Sequence, residues 1–287
     1  MATRADYTGK VVIVTGASSG IGYVAAKAFA QRRAIVVGVA RREAQLQELM
    51  AACHEHSPQS WYIVGDLGDR QIAERVVDET VARQGRLDVL INNAAISKHK
   101  QIYHTSAAEA EEVMRINFLS CVWTTFAAIP HMLRQGGGTI VNVSSFAAKV
   151  APPREAMYAA SKAAMSSFTE GLWNDLAGSN IHVALIHPGP IDTEIWEKED
   201  EPPAYNGRKY PPELVSDAIF EAIEMRRYEM VIPKRNPMLI AARLLRLLLP
   251  SVLRFGMART EPVPPEVVER ARQRAAQGKR LGDLSAS

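Results

Sequence analysis

A tyrosine and a lysine stand four positions apart, at Tyr158 and Lys162, in a stretch of helical character. Residues four apart on a helix share one face, so the ammonium group can lie near the phenol. A free tyrosine titrates near ~10, and a neighbouring positive charge favours its phenolate form. Tyr158 could therefore donate a proton to a carbonyl oxygen or accept one from an alcohol. The alternative is an aromatic helix residue beside a solvated lysine.

A second pattern, T-G-A-S-S-G-I-G at 15–22, follows an apolar run and precedes a helical stretch. A turn placed there lies at a helix N-terminus, where unpaired N–H groups and the helix dipole favour an anion. We expect Gly16 to permit the tight turn and Gly20 to let the backbone approach a pyrophosphate. Gly22 should allow close packing of the helix. A tight turn that binds nothing would have the same pattern.

The elements that must position these residues alternate along most of the chain. Strands are predicted at 11–14, 35–39, 62–64, 89–91, 139–143, 182–186 and 230–232. Helices are predicted at 23–33, 42–52, 69–84, 106–134, 158–177 and 213–226. This alternation predicts right-handed crossovers and a parallel sheet covered on both faces. Ser106 with Glu109 is a candidate capping box, and Pro212 suits the start of a helix.

Six motifs occur in order, each at the end of a predicted strand or inside a predicted helix. They are the glycine turn, N-N-A-A at 92–95, Asn117, S-S at 144–145, Y-A-A-S-K at 158–162 and H-P-G-P-I-D-T at 187–193. Together they resemble the short-chain dehydrogenase/reductase family over about residues 8–232. The resemblance implies an α/β fold with a Rossmann-like, doubly wound parallel sheet of seven strands, in the order 3-2-1-4-5-6-7. A nicotinamide cofactor would lie across the switch point.

The resemblance assigns the catalytic roles to Asn117, Ser145, Tyr158 and Lys162. Ser145 precedes Tyr158 by thirteen residues, the family interval, and would stabilise charge that develops on the substrate oxygen. Ser144 is the adjacent alternative, but neighbours in a strand point to opposite faces, so only one of the two can serve. The backbone around Asn117 would help to hold a water near Lys162 in a proton relay.

The resemblance also implies a set of cofactor contacts along the carboxyl edge of the sheet. Asp66 and its apolar neighbour Leu67 would meet the adenine, whereas Ile191 and Thr193 would position the carboxamide and the pyrophosphate. Ala95 replaces the last glycine of the family's Asn-Asn-Ala-Gly. The full set is Gly16, Ser18, Ser19, Gly20, Ile21, Gly22, Arg41, Arg42, Asp66, Leu67, Asn93, Ala94, Tyr158, Lys162, Pro188, Gly189, Ile191 and Thr193.

Three histidines lie near these motifs. His187 stands at a strand end beside the cofactor contacts, and we expect it to pack or hydrogen-bond rather than to catalyse, because Tyr158 already supplies the acid. His99 and His104 lie in a loop at the rim of the expected site, where we predict that they are solvated.

The end of the second strand indicates which nicotinamide cofactor is used. An acidic residue at this point would bind a ribose 2′-hydroxyl, but Ala40 occupies the region and is followed by Arg41 and Arg42. A guanidinium can pair with a 2′-phosphate through two hydrogen bonds. Two arginines at a helix N-terminus oppose the helix dipole, which makes a bound anion attractive, although a merely basic helix start is the alternative. The pattern predicts NADP rather than NAD.

Composition limits the class of protein. The 287 residues include 47% hydrophobic residues and carry a net charge of +3, with basic residues dispersed except near the C-terminus, so no nucleic-acid partner is expected. Cys53 and Cys121 form neither a disulfide framework nor a metal-binding spacing, so we expect no metal and a reducing compartment. No signal-like apolar region begins the chain, and the nearest approach to a membrane span is 238–249, which Arg243 and Arg246 interrupt. We expect a cytoplasmic location.

These features predict an NADP(H)-dependent oxidoreductase that interconverts a secondary alcohol and a ketone or aldehyde. Phe146, Ile195 and Trp196 indicate a lipophilic substrate. The competing hypothesis is a dinucleotide-binding sensor without turnover, against which the intact catalytic set argues. A sugar-nucleotide epimerase would need a different glycine pattern and a larger C-terminal domain. The family resemblance implies a homodimer or homotetramer.

The alternation ends at residue 232, so we expect a Rossmann-fold cofactor-binding and catalytic domain over 1–232 and an amphipathic, basic extension over 233–287. Within residues 236–260, a broad apolar helical face comprises Leu239, Ile240, Leu244, Leu247 and Leu248. Arg243 and Arg246 lie opposite most of it. The face could pack on its own domain, dock on a second subunit, or lie in a membrane interface where arginines meet anionic lipid.

Overall fold

A computed structural model describes residues 5–196, 205, 207–260 and 262–277. At its centre is a seven-stranded sheet in the order β3-β2-β1-β4-β5-β6-β7, and all neighbouring strands are parallel, as predicted. Each predicted strand is present, with its ends shifted by no more than two residues. The strands are β1 Val11–Thr15, β2 Ile35–Ala40, β3 Trp61–Val64, β4 Val89–Asn92, β5 Gly138–Val143, β6 Ile181–Pro188 and β7 Glu229–Ile232.

Helices connect the strands and cover the sheet. In chain order they are α1 Gly20–Gln31, α2 Glu43–His54, α3 Arg70–Gln84, α4 Ala107–Met114, α5 Ser120–Arg134, α6 Ala147–Val150, α7 Ala156–Asp175, α8 Glu213–Glu224, α9 Pro237–Leu248, α10 Pro250–Ala258 and α11 Pro265–Ala276. The predicted helix 106–134 is continuous but not uniform, because a π-helical turn, Arg115–Leu119, joins α4 to α5. Its start is the predicted capping box, in which the Ser106 and Glu109 side chains each accept the other's backbone N–H.

Strand β1 is buried on both faces because its side chains alternate between two cores. Val12 and Val14 pack in the core that contains residues of α1, α2 and α8. Val11 and Ile13 pack in the opposite core, with residues of α3, α5 and α7. A strand covered in this way needs apolar residues at every position, which explains the uninterrupted run V-V-I-V.

The sheet register brings the strand ends together at one edge. Val14 pairs with Ile91, Asn92 pairs with Asn142, and the next strands continue the register. The chain leaves β1 toward β2 and β3 on one side, then crosses over to β4 on the other. The carboxyl ends of β1 and β4 therefore flank the crevice where ligands bind in open α/β sheets.

Among the described residues, one helical stretch, Ala107–Arg134, is long and apolar enough, by length and composition alone, to cross a membrane. The expectation that 238–249 comes nearest to a span is therefore wrong. Thr124, Ala128 and Met132 of this stretch are fully buried in the protein. Its apolar character is explained by its packing against the sheet, since the core helix of a globular protein passes the same test.

Helices α9 and α10 pack partly on earlier parts of the chain. Leu239 is buried against Phe146 and Val150, and Asn236 caps α9 by accepting the Leu239 N–H at 3.1 Å. The expected single apolar face is thus divided, because Leu239 points inward. The other four residues of that face are exposed: Ile240, Leu244, Leu247 and Leu248.

Candidate active site

The glycine turn after β1 has no room for side chains. Gly16 and Gly20 have φ values of +67° and +56°, which side-chain-bearing residues rarely adopt. A Cβ on Gly22 would lie 2.3 Å from the Gly16 carbonyl oxygen, so the close approach of α1 to the turn requires glycine there. A Cβ on Gly20 would lie 2.9 Å from Thr193 Cγ2. The turn is therefore shaped both by its own backbone and by the loop after β6.

Thr15 joins the turn to the end of β4. Its hydroxyl accepts the backbone N–H of Asn93 at 2.9 Å and of Ala94 at 3.0 Å, and donates to the Ile91 carbonyl. The Asn93 side chain donates to the Thr15 carbonyl at 3.0 Å. These bonds hold the two flanks of the switch point at a fixed separation. The first turn of α1 has no acidic residue, so its N–H groups favour an anion.

The two arginines after β2 line the same crevice. Arg42 donates from Nη2 to Ser19 Oγ at 2.8 Å and to Ser18 Oγ at 3.1 Å, which draws the guanidinium over the glycine turn. Arg41 Nη1 lies 3.9 Å from an Asp66 carboxylate oxygen. The predicted cationic group and the predicted adenine contact are therefore neighbours.

Lys162 is buried inside the site. Its Nζ donates to the Val143 carbonyl at 2.9 Å, and burial lowers the pKa of its ammonium to about 8. Ser144 is committed to the same helix, since its hydroxyl lies 2.9 Å from both the Lys162 carbonyl and Ser166 Oγ. Both serines border the cavity, but the Ser145 side chain is the one that hydrogen-bonds with Tyr158.

Tyr158 has a raised pKa, because burial and the negative charge of Glu155 disfavour the phenolate, while a hydrogen bond with Ser145 acts in the opposite direction. The sequence predicts that the Lys162 ammonium favours phenolate. In this structure burial and Glu155 outweigh the opposing effect, and the Lys162 Nζ donates to the Val143 carbonyl. Tyr158 is therefore held protonated at neutral pH. The phenolate favoured jointly by the ammonium and a bound nicotinamide ring stays a prediction.

Asn117 lies in the π-helical turn, fully buried. Its Oδ1 accepts the Ile96 N–H at 2.8 Å, and its Nδ2 donates to the Ile96 carbonyl at 2.9 Å and to Ser161 Oγ at 3.1 Å. The side chain thereby fastens the chain after β4 to α7. A π-helical turn changes the hydrogen-bond pattern of the helix and is frequent at functional sites. The water relay predicted from Asn117 stays a prediction.

The segment after β6 folds back over the crevice. Trp196 Nε1 donates to the Ile191 carbonyl at 2.6 Å, and the Asp192 N–H donates to the Tyr210 carbonyl at 2.7 Å. Thr193 is pressed against the glycine turn, as described above. Gly189 lies close to α9, and a Cβ there would lie 3.0 Å from a Leu239 methyl group, so a side chain at this position would push Leu239 aside.

The histidines differ from one another in environment. The predicted solvation of His99 is wrong, because its side chain is buried, its Nε2 lies 3.2 Å from a Glu155 carboxylate oxygen, and its ring packs 5.6 Å from that of Trp196. His104 is half-buried against Tyr103.

His187 is buried, as expected of a packing or hydrogen-bonding role. Its Nδ1 lies 3.1 Å from the Ser145 carbonyl oxygen, and its Nε2 lies 3.1 Å from Glu229 Oε1. His187 and then Lys149 lower the pKa of the Glu229 carboxyl to about 2. Through His187, Glu229 thus helps to hold the backbone carbonyl of Ser145 in place.

A single cavity of about 850 Å³ joins these groups, a size within the ~300–1,000 Å³ of small-molecule sites. Every site residue predicted from the sequence lines it except Gly22 and Asn117, which act through packing and hydrogen bonds. The glycine turn, the open start of α1 and the two arginines fit a dinucleotide. The sequence analysis placed His99 at the rim of the site but predicted the wrong environment for it. It did not name several other polar lining residues: Ser97, Lys98, Glu112, Glu155, Glu194, Tyr205 and Thr260. Of these, only Glu155 could have been recognised from the sequence, because it lies three residues before Tyr158 and so on the same side of the helix.

A doubly wound parallel sheet with a glycine turn at its switch point is the architecture of dinucleotide-binding proteins. Residues 10–204 match the family model described as short chain dehydrogenase. The chain belongs to this family.

Curated relatives agree with this assignment. The uncharacterized oxidoreductase YxnA of Bacillus subtilis is 32% identical over 231 residues, which cover 78% of this chain and 65% of that protein. The 11-beta-hydroxysteroid dehydrogenase 1A of Arabidopsis thaliana is 41% identical over 193 residues, which cover 66% of this chain and 54% of that protein. The chain thus matches about half to two thirds of the length of these relatives.

Among solved structures, a short chain dehydrogenase/reductase from Burkholderia phymatum, crystallised in complex with NAD, has a TM-score of 0.78 to this chain. The match covers 91% of this chain and 99% of that chain, at 24% sequence identity. This likeness establishes the fold.

Proposed function

We propose that the protein is an NADP(H)-dependent oxidoreductase that interconverts a secondary alcohol and a ketone or aldehyde. The observation that carries the proposal is one cavity in which Ser145, Tyr158 and Lys162 meet the glycine turn and the arginine pair. A dinucleotide-binding sensor without turnover is the competing function. It would need the turn and the arginines but not a desolvated tyrosine–lysine pair, whose burial is costly.

In this proposal the nicotinamide cofactor, when bound, exchanges hydride with the substrate carbon. Tyr158 holds the proton that is donated to the carbonyl oxygen, since its raised pKa keeps the phenol protonated. Ser145 donates a hydrogen bond to the same oxygen as negative charge develops there. Lys162 keeps a positive charge under the site at neutral pH, and Asn117 holds the chain after β4 against α7.

The choice of NADP is supported by Arg41 and Arg42, which line the cavity where a 2′-hydroxyl-binding acid would otherwise stand. The Burkholderia relative in complex with NAD shows that this fold also accepts the unphosphorylated cofactor. Replacing both arginines by alanine should weaken NADPH by about one to two decades and NADH far less, because a charge-assisted hydrogen bond contributes roughly 1.5–3 kcal/mol. Equal losses for the two cofactors in fluorescence titrations would reject the role.

A lipophilic substrate is supported by the apolar part of the cavity lining, which includes Phe146, Val150, Ile195, Trp196, Met238 and Met257. The names of the Arabidopsis relatives place hydroxysteroids within the range of substrates to test. Burial of apolar surface contributes about 25 cal/mol per Å², so a large hydrocarbon skeleton can supply much of the binding energy.

The deciding experiment is a screen of NADPH oxidation across ketone classes, including steroids and long-chain carbonyls. Wild type is compared with Tyr158→Phe and with a matched surface control, Tyr62→Phe, whose hydroxyl contacts Glu43. Loss of a positioned acid typically lowers the rate by about 10²–10⁴, so Tyr158→Phe should lose nearly all turnover while binding NADPH normally. NADPH binding without turnover on any class would favour the sensor.

A homodimer is supported by an exposed apolar stripe on and beside α5. Leu119, Phe126 and Leu133 recur every seven residues, so they share one helical face, and each is at least one third exposed. We expect this face to meet its copy in a second subunit. Phe126→Glu should shift the mass measured by light scattering toward the monomer. A homotetramer would need a second contact.

We infer further that the protein is cytoplasmic and contacts a membrane peripherally through residues 236–260. We divide the chain into a cofactor-binding and catalytic domain, residues 1–232, and an extension, residues 233–287. The outer face of α9 and α10 exposes Ile240, Leu244, Leu247, Leu248, Leu249, Val252 and Phe255. The segment has four arginines and no acidic residue. Pairing this face with its copy would bring like charges together, whereas an anionic lipid surface would attract them.

Co-sedimentation with phosphatidylserine-containing vesicles tests this contact. Arg243→Glu with Arg246→Glu should abolish pelleting, whereas Arg75→Glu with Arg134→Glu, also exposed and outside the extension, should reduce it much less. If wild type ignores anionic vesicles while the first pair of changes alters the oligomer mass, the extension is a subunit contact instead.

A further inference from the structure

Arg42, the arginine that lies over the glycine turn, has acceptors on both sides of its guanidinium. Nη2 donates to Ser19 Oγ at 2.8 Å and to Ser18 Oγ at 3.1 Å. Nη1 lies 2.9 Å from Oε2 of Glu194, which belongs to the segment after β6. The guanidinium therefore links the turn after β1 to the segment that covers the crevice.

The serine hydroxyls and the Glu194 carboxylate, which all accept from Arg42, would respond differently to a bound phosphate. A serine hydroxyl accepts and donates, so Ser18 and Ser19 can rotate and donate to a phosphate oxygen while they stay in place. An ionised carboxylate only accepts hydrogen bonds, and it repels a phosphate that approaches the same guanidinium. A bidentate contact between Arg42 and a 2′-phosphate is thus compatible with the serines but not with Glu194 in its present position.

The Glu194 carboxylate is held near Arg42 by the backbone on both sides of it. Thr193 is packed against Gly20, and Trp196 Nε1 donates to the Ile191 carbonyl at 2.6 Å. Residues Glu194–Trp196 form one 3₁₀ turn. Because these contacts hold the segment in place, its carboxylate loses little conformational entropy in contacting Arg42.

We propose that Glu194 is a cofactor-selectivity residue whose carboxylate holds the Arg42 guanidinium that a 2′-phosphate needs. A dinucleotide with a 2′-phosphate has to displace Glu194, whereas one with a free 2′-hydroxyl does not. Glu194 therefore lowers the preference that Arg41 and Arg42 create for NADPH. The inference rests on the proposed function only in that the cavity binds a nicotinamide dinucleotide.

The expected effect is modest because the side chains of Arg42 and Glu194 are 36% and 41% exposed. Ion pairs of this exposure change equilibria by about two- to fivefold. Glu194→Gln, which keeps the shape and removes the charge, should tighten NADPH by about that factor and change NADH less. The gain should shrink as salt is raised from about 0.05 M to about 0.5 M, because salt screens partly exposed charges.

The test is a fluorescence titration of the full chain with NADPH and with NADH. Glu213→Gln, an exposed acid on α8 outside the cavity lining, is the matched control and should change neither dissociation constant. In an Arg42→Ala background, Glu194→Gln should no longer change the dissociation constant of NADPH, because the guanidinium for which Glu194 and the phosphate compete is absent. Melting temperatures measured on the same samples show that every variant is folded.

The outcomes separate this proposal from the proposed function. If wild type binds both dinucleotides but Glu194→Gln leaves NADPH unchanged, Glu194 does not compete for Arg42. If Glu194→Gln weakens NADPH, Glu194 orients Arg42 instead of competing for it, and the proposal is wrong in either case. If Glu194→Gln tightens NADPH equally with and without Arg42, its effect does not pass through Arg42 and the proposal is wrong. If wild type binds neither dinucleotide, both proposals fail.

Discussion

Replacing Lys162 with methionine should stabilise the protein at neutral pH while removing a residue proposed to be catalytic. The lysine is 1% exposed, and burial lowers its pKa from the ordinary 10.5 to about 8. The unfolded chain returns the ammonium to water, so between these two values the unfolded state binds more protons than the folded state. Wild-type stability should therefore rise with pH across this window.

The magnitude follows from the two pKa values. They differ by about 2.5, and each unit corresponds to ~1.36 kcal/mol, so the charged lysine costs the folded state about 3 kcal/mol below pH 8. Methionine has no charge and a similar length, but it loses the hydrogen bond to the Val143 carbonyl, a loss of about 1 kcal/mol. Lys162→Met should therefore gain about 2 kcal/mol at pH 7 and lose about 1 kcal/mol above pH 10.5.

Urea denaturation at pH 7 and near pH 10, followed by tryptophan fluorescence, measures this difference. Lys27→Met, on the half-buried side of α1, is the control and should show no such dependence on pH. Ionisable groups that do not interact with Lys162 titrate equally in wild type and variant, so they cancel in the comparison. The Cys121 thiol does interact with Lys162, but burial raises its pKa to about 12, so it stays protonated in the folded state at both pH values. A Lys162→Met protein that is destabilised at pH 7, or whose difference from wild type is the same at both pH values, would refute the reasoning.

Three further outcomes are expected. Gly22→Ala places a methyl group 2.3 Å from a backbone oxygen, so urea titration should show a loss of about 1–3 kcal/mol; Gly171→Ala, inside α7 with nothing within 4 Å of its Cβ, should gain up to about 1 kcal/mol. Asn117→Ala leaves the Ile96 N–H and carbonyl without their partner and should cost about 2–4 kcal/mol in the same assay; unchanged stability would contradict the bonds described. Because the pKa of Tyr158 is raised, alcohol oxidation should accelerate about tenfold per pH unit below about pH 8, where Lys162 is still charged, while carbonyl reduction stays level; an oxidation rate independent of pH would exclude Tyr158 as the base.

The sheet could be predicted because its strands are buried on both faces. A short apolar run such as V-V-I-V indicates a strand of a buried parallel sheet when a helical segment follows each such run. The helix boundaries were less accurate, as the start of α1 shows. It begins at Gly20 rather than at the predicted residue 23, because glycine has a low helix propensity. The first turn tolerates it, since its N–H groups have no partner within the helix in any case.

The cofactor side of the site could also be predicted, because its residues follow directly from strand ends that the topology brings together. Thr15 and Asn93 show the principle, since they meet as soon as β1 and β4 pair. The substrate side depends on contacts between distant loops. His99 is buried only because Glu155 and Trp196 converge on it, and no local pattern indicates that contact. The outward face of α9 is likewise set by the contact of Leu239 with Phe146.

Burial acts on Tyr158 and Lys162 in the same sense, since it favours the neutral form of each. It raises the pKa of the phenol and lowers that of the ammonium to about 8, so at neutral pH the first is protonated and the second still mostly charged. Reduction of a carbonyl needs this pair of states, because the phenol must give up a proton and a nearby cation stabilises the phenolate left behind. Oxidation needs the phenolate from the start, and Glu155 opposes it. We therefore expect Glu155→Gln to accelerate alcohol oxidation more than carbonyl reduction at neutral pH, which initial rates measured in both directions would show; equal changes in the two directions would mean that Glu155 acts only on the shape of the pocket.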